Sequence, residues 1–389
     1  MADKYLLSRR RIILFACFLA GGIGIGTWGA NLPALGRRAD LSEGALGIVL
    51  LSFAAGAILA MTNAPSLIRK IGAERMSVVA VGLFGCGIAS IGLISHMVTA
   101  VIVAGLSGLS FGSLDVAMNS RAAYLERQAK RPIMSSFHAM FSAGTLLAAL
   151  TYAALVHLEV ANEIVLALSG FSLVSIATGA FSQTTPHRSE DLPSTATDRV
   201  QSKMWISSPA LILGAFAFVI FLAEGAIMDW AAVYMVRVLG TTESVAATGY
   251  AVFAGTMLLG RLIGDKANRA FGAPRLFRFC IIAITFSMAA FLLSGSVASA
   301  FVALAFCGLA MANAIPILFS AAGVLGASDG DRSLSQVLTM GYAGILLGPA
   351  LIGFVAQASS LRLSLSLILF GLVLVAIFAR AMSADRATQ

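Results

Sequence analysis

Apolar residues run along this chain in twelve blocks of about twenty, separated by short polar stretches. The blocks fall at about 12–35, 45–67, 76–95, 98–120, 134–157 and 163–182, then at about 209–235, 245–264, 276–295, 298–325, 334–357 and 361–382, each long enough to cross a hydrocarbon core of about 30 Å. Backbone N–H and C=O groups have no water to bond in lipid, so each block is expected to be a helix. The longest polar interruption, 183–206, contains TTPHRSEDLPSTATDR and is expected to be a linker between an N-terminal six-helix bundle (1–182) and a C-terminal one (207–389).

Composition agrees with lipid as the main solvent. Of the 389 residues 59% are hydrophobic and 11% charged, and the mean hydropathy is +0.91; a soluble domain carries about 25% charged residues. The net charge of +8 does not imply a nucleic-acid partner, because the basic residues sit in short clusters between apolar runs. With both termini in the cytoplasm, all of the 26 Lys and Arg residues except Arg37, Arg38, Arg237 and Arg362 fall at or beyond the cytoplasmic ends of the spans. The excess of positive charge on cytoplasmic loops thus predicts that orientation, in a plasma (inner) membrane. Arg9-Arg10-Arg11 precedes an apolar run too long for a signal peptide, which is expected to be an uncleaved first span. The four cysteines (Cys17, Cys86, Cys280, Cys307) lie inside apolar blocks at no metal-ligand spacing, so packing roles are expected and neither a disulfide framework nor a metal.

The chain is written twice. MFSAGTLL (Met140 to Leu147) returns two hundred positions later as MGYAGILL (Met340 to Leu347), and Arg69-Lys-Ile-Gly72-Ala73-Glu-Arg75 returns as Arg269-Ala-Phe-Gly272-Ala273-Pro-Arg275. Twelve spans as six plus six, a cytoplasmic middle loop and this repeat resemble the major facilitator superfamily, across essentially the whole chain. Gly260-Arg261-Leu-Ile-Gly264-Asp265-Lys-Ala-Asn-Arg269 looks like that superfamily's cytoplasmic signature. Arg261, Asp265 and Arg269 are spaced to form one charged stripe on a helix, and the resemblance implies a cytoplasmic gate there. In the first half Pro65 stands where Asp265 does.

Candidate chemistry is confined to a few polar residues inside the blocks. Asp115, Glu224 and Asp229 lie well within spans, and no Lys or Arg is expected at comparable depth. An ionised carboxylate at the bilayer centre costs about 2.5–3.5 kcal/mol on insertion scales. A buried carboxyl without a cationic partner therefore favours its neutral form, which suits a group that loads and releases protons. Asp115-Val-Ala-Met-Asn119 places acid and amide one turn apart, and the fifth span opens with Ser135-Ser136-Phe137-His138. This pairing is loosely similar to the fucose/hexose-proton symporter branch of the superfamily, with Asp in place of the usual Glu and His138 in place of an Asn. That branch also has an acid in its first span. This chain has none, and Glu224 or Asp229 in the seventh span, the first span's counterpart, is expected to take over the role, Glu224 being nearer mid-membrane. His138 is a further proton-relay candidate. Trp28 with Asn31, and Trp230 in the second half, supply aromatic faces and an amide suited to a polar organic solute, as does Asn119.

Other signals carry less. Gly22 and Gly26, like Gly108 and Gly112, are four apart and suit close helix packing; they are not part of a nucleotide site, since no P-loop lysine follows. Gly344-Ile-Leu-Leu-Gly348-Pro349 resembles a helix-bending motif of the superfamily's exporters, displaced here to the eleventh span. No arrangement of nucleophile and base suggests an enzyme. The sequence thus predicts an all-α membrane protein of the major facilitator fold: a secondary active transporter moving a small polar organic solute, such as a sugar, by alternating access and proton-coupled symport. It is expected to need no cofactor, to act as a monomer in the bilayer, and to have solute and protons as partners. Two alternatives are proton-driven efflux of amphipathic compounds and a transporter-like receptor that moves nothing.

Overall fold

A computed structural model describes residues 2–129, 133–184, 208–329 and 332–384. Residues 185–207, nearly all of the expected linker, lie outside this set. The described residues form twelve helices and no strand: α1 (Ala2–Arg38), α2 (Glu43–Ile71), α3 (Ala73–Ile91), α4 (Met97–Ala129), α5 (Met134–His157), α6 (Asn162–Phe181), α7 (Ser208–Arg237), α8 (Glu243–Phe271), α9 (Ala273–Leu292), α10 (Val297–Asp329), α11 (Arg332–Ala358) and α12 (Leu361–Ala384). All twelve are long and apolar enough to span a membrane. Several outrun their apolar blocks, α4 by nine residues at its C-terminal end. Hydropathy marks only the part of a helix that lipid surrounds, and the backbone ladder continues past it.

Contacts divide the chain into two units, Met1–Thr195 with Glu243–Ala251, and Ala196–Thr242 with Val252–Gln389. In the first, α1 packs on α5, α2 on α4, and α3 on both α4 and α6. Association in lipid relies on close van der Waals approach, which small residues permit. A Cβ on Gly22 would strike the Phe141 carbonyl, and one on Gly144 the Leu19 carbonyl, so α1 and α5 meet backbone to backbone. The Gly108 and Gly112 pair does the same for α4 against Phe53 and Ala57 of α2. The opening turn of α8 also belongs to this unit, with Arg37 Nε donating to Glu243 Oε1 at 2.8 Å and Ser244 Oγ to the Ala153 carbonyl at 2.8 Å.

In the second unit α7 packs on α11, and α9 on α10 and α12. The glycine contacts recur in the second unit: Gly308 lies against the Phe253 carbonyl of α8 as Gly108 lies against Phe53, and Gly344 lies against the Phe218 carbonyl of α7, one residue before the position two hundred after Leu19. The repeated RxxGAxR segment also has a structural reason. Gly72 (φ 84°, ψ 147°) and Gly272 (φ 76°, ψ 147°) each turn the chain between two helices in a conformation nearly confined to glycine. Each closes one helix, donating to Ile68 O or Asn268 O, and each accepts the first bond of the next, from Met76 N or Leu276 N.

Candidate functional site

In the first unit the polar centre is on α4. Asn119 Nδ2 donates both to the Asp115 carbonyl, at 2.9 Å, and to Asp115 Oδ1, at 3.0 Å. Both side chains are half-buried, and among the described residues the Asp115 carboxyl has no ion pair and no other hydrogen bond. One turn earlier on the same stripe is Phe111, whose ring lies 5.9 Å from Phe53, 5.6 Å from Phe84 and 6.5 Å from Phe141. Trp28 extends the cluster, 4.9 Å from Phe53. His138 is exposed near the start of α5, with its ring edge-on to Phe18 at 5.4 Å.

Trp28 and Asn31 face the inside of this unit, 3% and 1% exposed. Asn31 Oδ1 accepts from Tyr152 Oη at 3.3 Å, the same hydroxyl accepts from Asn162 Nδ2, and Asn162 Oδ1 accepts from Arg38 Nη1 at 2.9 Å. Arg38 also donates to the Ile91 and Ile94 carbonyls at the end of α3, matching its charge to that helix terminus. A second polar contact lies at the opposite ends of α3 and α4: Arg121 Nη2 meets Glu74 Oε2 at 3.1 Å, with side chains 2% and 7% exposed. Neither network is evident from the sequence pattern. Arg121, just past the fourth apolar block, and Arg38, assigned to the outer loop, were the available signals, but their partners are distant in sequence.

In the second unit Glu224 of α7 is buried, and the expectation that no cation shares its depth is corrected: Arg261 Nη2 of α8 lies 3.9 Å from Glu224 Oε1. The long arginine stem lets a residue near the end of the apolar block reach along apolar surface to α7. Arg261 is thus turned toward α7, while Arg269 is exposed and the Asp265 side chain lies outside the described residues. Asp229, half-buried, has no hydrogen bond or ion pair among the described residues. Trp230 is fully buried and donates Nε1–H to the Pro349 carbonyl of α11 at 3.0 Å, spending its polar atom on helix packing.

The arrangement offers an acid and an amide beside an aromatic platform in one unit, and an ion pair with a separate acid in the other. Among the described residues no three His, Cys, Asp or Glu side chains are placed to share a metal.

A family model described as Major Facilitator Superfamily matches residues 13–327. The chain is 31% identical over 366 residues to an MFS-type transporter of Yersinia pestis, covering 94% of each chain. It is 30% identical over 359 residues to the membrane protein MosC of Rhizobium meliloti, covering 92% of this chain and 86% of that one. Among solved structures, a mutant of the nucleoside transporter NupG superposes with a TM-score of 0.75 at 14% identity, over 97% of this chain and 99% of the other. A bacterial homologue of the human lysosomal transporter Spinster, inward-facing and occupied, gives 0.72 at 14% identity, over 98% and 97%.

Proposed function

The chain belongs to the major facilitator superfamily, a family of membrane transporters, and from that premise we propose proton-coupled symport of a small polar organic solute by alternating access. The observation that carries this reading is the Asp115 carboxyl, set inside a span with a neutral amide as its partner among the described residues. A carboxyl so placed is costly when ionised. Its charge is tolerable only where water, solute or a proton reaches it, so protonation and solute binding can be linked at one place. Glu224, beside Arg261, has a counter-charge that Asp115 lacks among the described residues, which favours Asp115 as the proton carrier and makes Asp229 the alternative in the second unit. In this proposal Arg261 serves as the partner of Glu224 more than as part of a gate with Asp265 and Arg269.

A polar organic solute fits the aromatic rings beside Asp115, and the fold neighbour NupG is a nucleoside transporter. Both termini are proposed to be cytoplasmic in the inner membrane, with the protein acting as a monomer. The test is purified protein in liposomes with an imposed pH gradient and a pH-reporting dye, using glucose and uridine as probes. Solute-dependent proton movement in the wild type, lost in Asp115→Asn, supports the reading. Equal proton movement in both proteins overturns the role of Asp115, and solute movement without protons overturns the coupling.

A further inference from the structure

We infer that the transported solute is uncharged and carries hydroxyl groups on a ring whose flat face rests on Phe111, making Phe111 and Asn119 specificity-determining residues. The inference rests on the reading of Asp115 as the proton carrier and goes further by naming the ligand chemistry. It begins with hydrogen-bond supply. Asn119 spends its amide nitrogen on the Asp115 carbonyl and on Asp115 Oδ1, an orientation fixed because the amide oxygen would repel both acceptors. What the pair presents beyond itself is Asn119 Oδ1 and Asp115 Oδ2, neither of which has a donor among the described residues.

Asn119 Oδ1 accepts in every protonation state. Asp115 Oδ2 accepts when ionised and donates when protonated. A hydroxyl can answer both states, because it is donor and acceptor at once. An ammonium suits only the ionised acid, whereas a symporter must hold solute and proton together. A carboxylate or phosphate supplies no donor for Asn119 in either state. Charged solutes are therefore disfavoured on both sides, and a neutral hydroxylated solute matches the whole cycle.

The flat face follows from the neighbouring turn. Phe111, Asp115 and Asn119 are spaced four apart along one stripe of α4, so the aromatic surface begins about 6 Å from the acid. Phe84 and Trp28 are buried behind it and form a fixed wall. Phe53, Phe111 and Phe141 are half-buried, as are Asp115 and Asn119, so neither the rings nor the polar atoms are sealed inside the helix packing. The exposed part of the Asp115–Asn119 pair is not suited to lipid, because hydrocarbon cannot satisfy its two acceptors.

The experiment is thermal stabilisation of the full chain in detergent by three probes that share a pyranose ring, glucose, glucosamine and glucuronate, and by uridine against uridine 5′-monophosphate. The expected result is stabilisation by at least one neutral probe, with its charged counterparts about tenfold weaker or worse. Phe111→Leu should weaken that neutral probe about three- to tenfold, measured as the ligand-induced shift from the variant's own unliganded melting temperature, which is expected to fall modestly with the lost ring contacts. Charged members binding as tightly as neutral ones, an unchanged affinity in Phe111→Leu, or no neutral probe binding each overturns the inference. Loss of the proton role alone would register differently, as proton movement surviving in Asp115→Asn with the probe ranking intact.

Discussion

Individual polar side chains in this protein differ in what their surroundings demand. Arg121 and Glu74 are both nearly inaccessible and meet at 3.1 Å, so removing one leaves the other as a buried charge. Glu74→Ala or Arg121→Met is therefore expected to cost about 3–5 kcal/mol, with the double variant less damaging than the sum of the two. Unfolding of purified protein in detergent, followed by tryptophan fluorescence, would measure this. Asp115 should behave in the opposite way. Replacing a poorly compensated acid by its amide isostere is expected to leave stability unchanged or raise it, even as proton coupling is lost. A fall of several kcal/mol in Asp115→Asn would show that the carboxyl is structural. The Asp115–Asn119 pair was legible in the sequence because both residues sit on one helix, four apart, where geometry is fixed by the backbone. The Glu224–Arg261 contact was not, because which helix lies beside which, and how far an arginine stem reaches, is decided by tertiary packing. The same holds for Asn31 and Trp230: periodicity puts them on a helix face but does not say that Tyr152 and the Pro349 carbonyl await them there.

Among the elements, the helix ends carry the most specific information. Gly72 and Gly272 hold positive φ where α2 turns into α3 and α8 into α9, which is why the RxxGAxR segment recurs although most charges in the chain do not. Gly72→Ala and Gly272→Ala are each expected to cost about 1–3 kcal/mol from backbone strain alone, in open surroundings at Gly272, where no neighbour obstructs a Cβ. Melting temperatures of the two variants against an exposed Gly→Ala control would read this strain. At the opposite end of the spans the two units cap equivalent helices with different residues. Arg38 reaches from α1 to the terminal carbonyls of α3 and to Asn162. In the second unit Tyr234 of α7 donates to the Leu292 carbonyl of α9 at 2.9 Å and accepts from Arg362 Nε at 3.1 Å, Arg362 standing two hundred positions after Asn162. The cation has changed helices while the terminus it serves has not. Arg38→Met should destabilise the protein by about 1.5–3 kcal/mol for the lost charged hydrogen bonds. Helix number and order were readable from apolar blocks, since lipid leaves no other structure available. These caps were missed because Arg37 and Arg38 counted only as charges outside the membrane.

For the whole molecule, the repeat preserves packing and varies the chemistry. Gly108 and Gly308 lie against equivalent carbonyls, and Gly144 and Gly344 against carbonyls of α1 and α7 that match to within one residue. Yet the positions equivalent to Asp115 and Asn119 are Ile315 and Phe319, and those equivalent to Glu224 and Arg261 are Gly24 and Met61. Each unit thus carries one set of intramembrane polar groups that the other lacks, so a function needing both sets cannot reside in either unit alone. Both halves expressed as separate chains should therefore be required together for transport. The central claim is that proton exchange at the Asp115 carboxyl couples proton to solute, while an amide there, a donor like the protonated acid, suffices to hold the solute. Its most direct test compares net uphill uptake with equal exchange of labelled solute in liposomes containing wild type or Asp115→Asn. The account predicts that Asp115→Asn loses accumulation driven by the pH gradient but keeps exchange at a rate close to that of the wild type. Accumulation that persists in Asp115→Asn would contradict it.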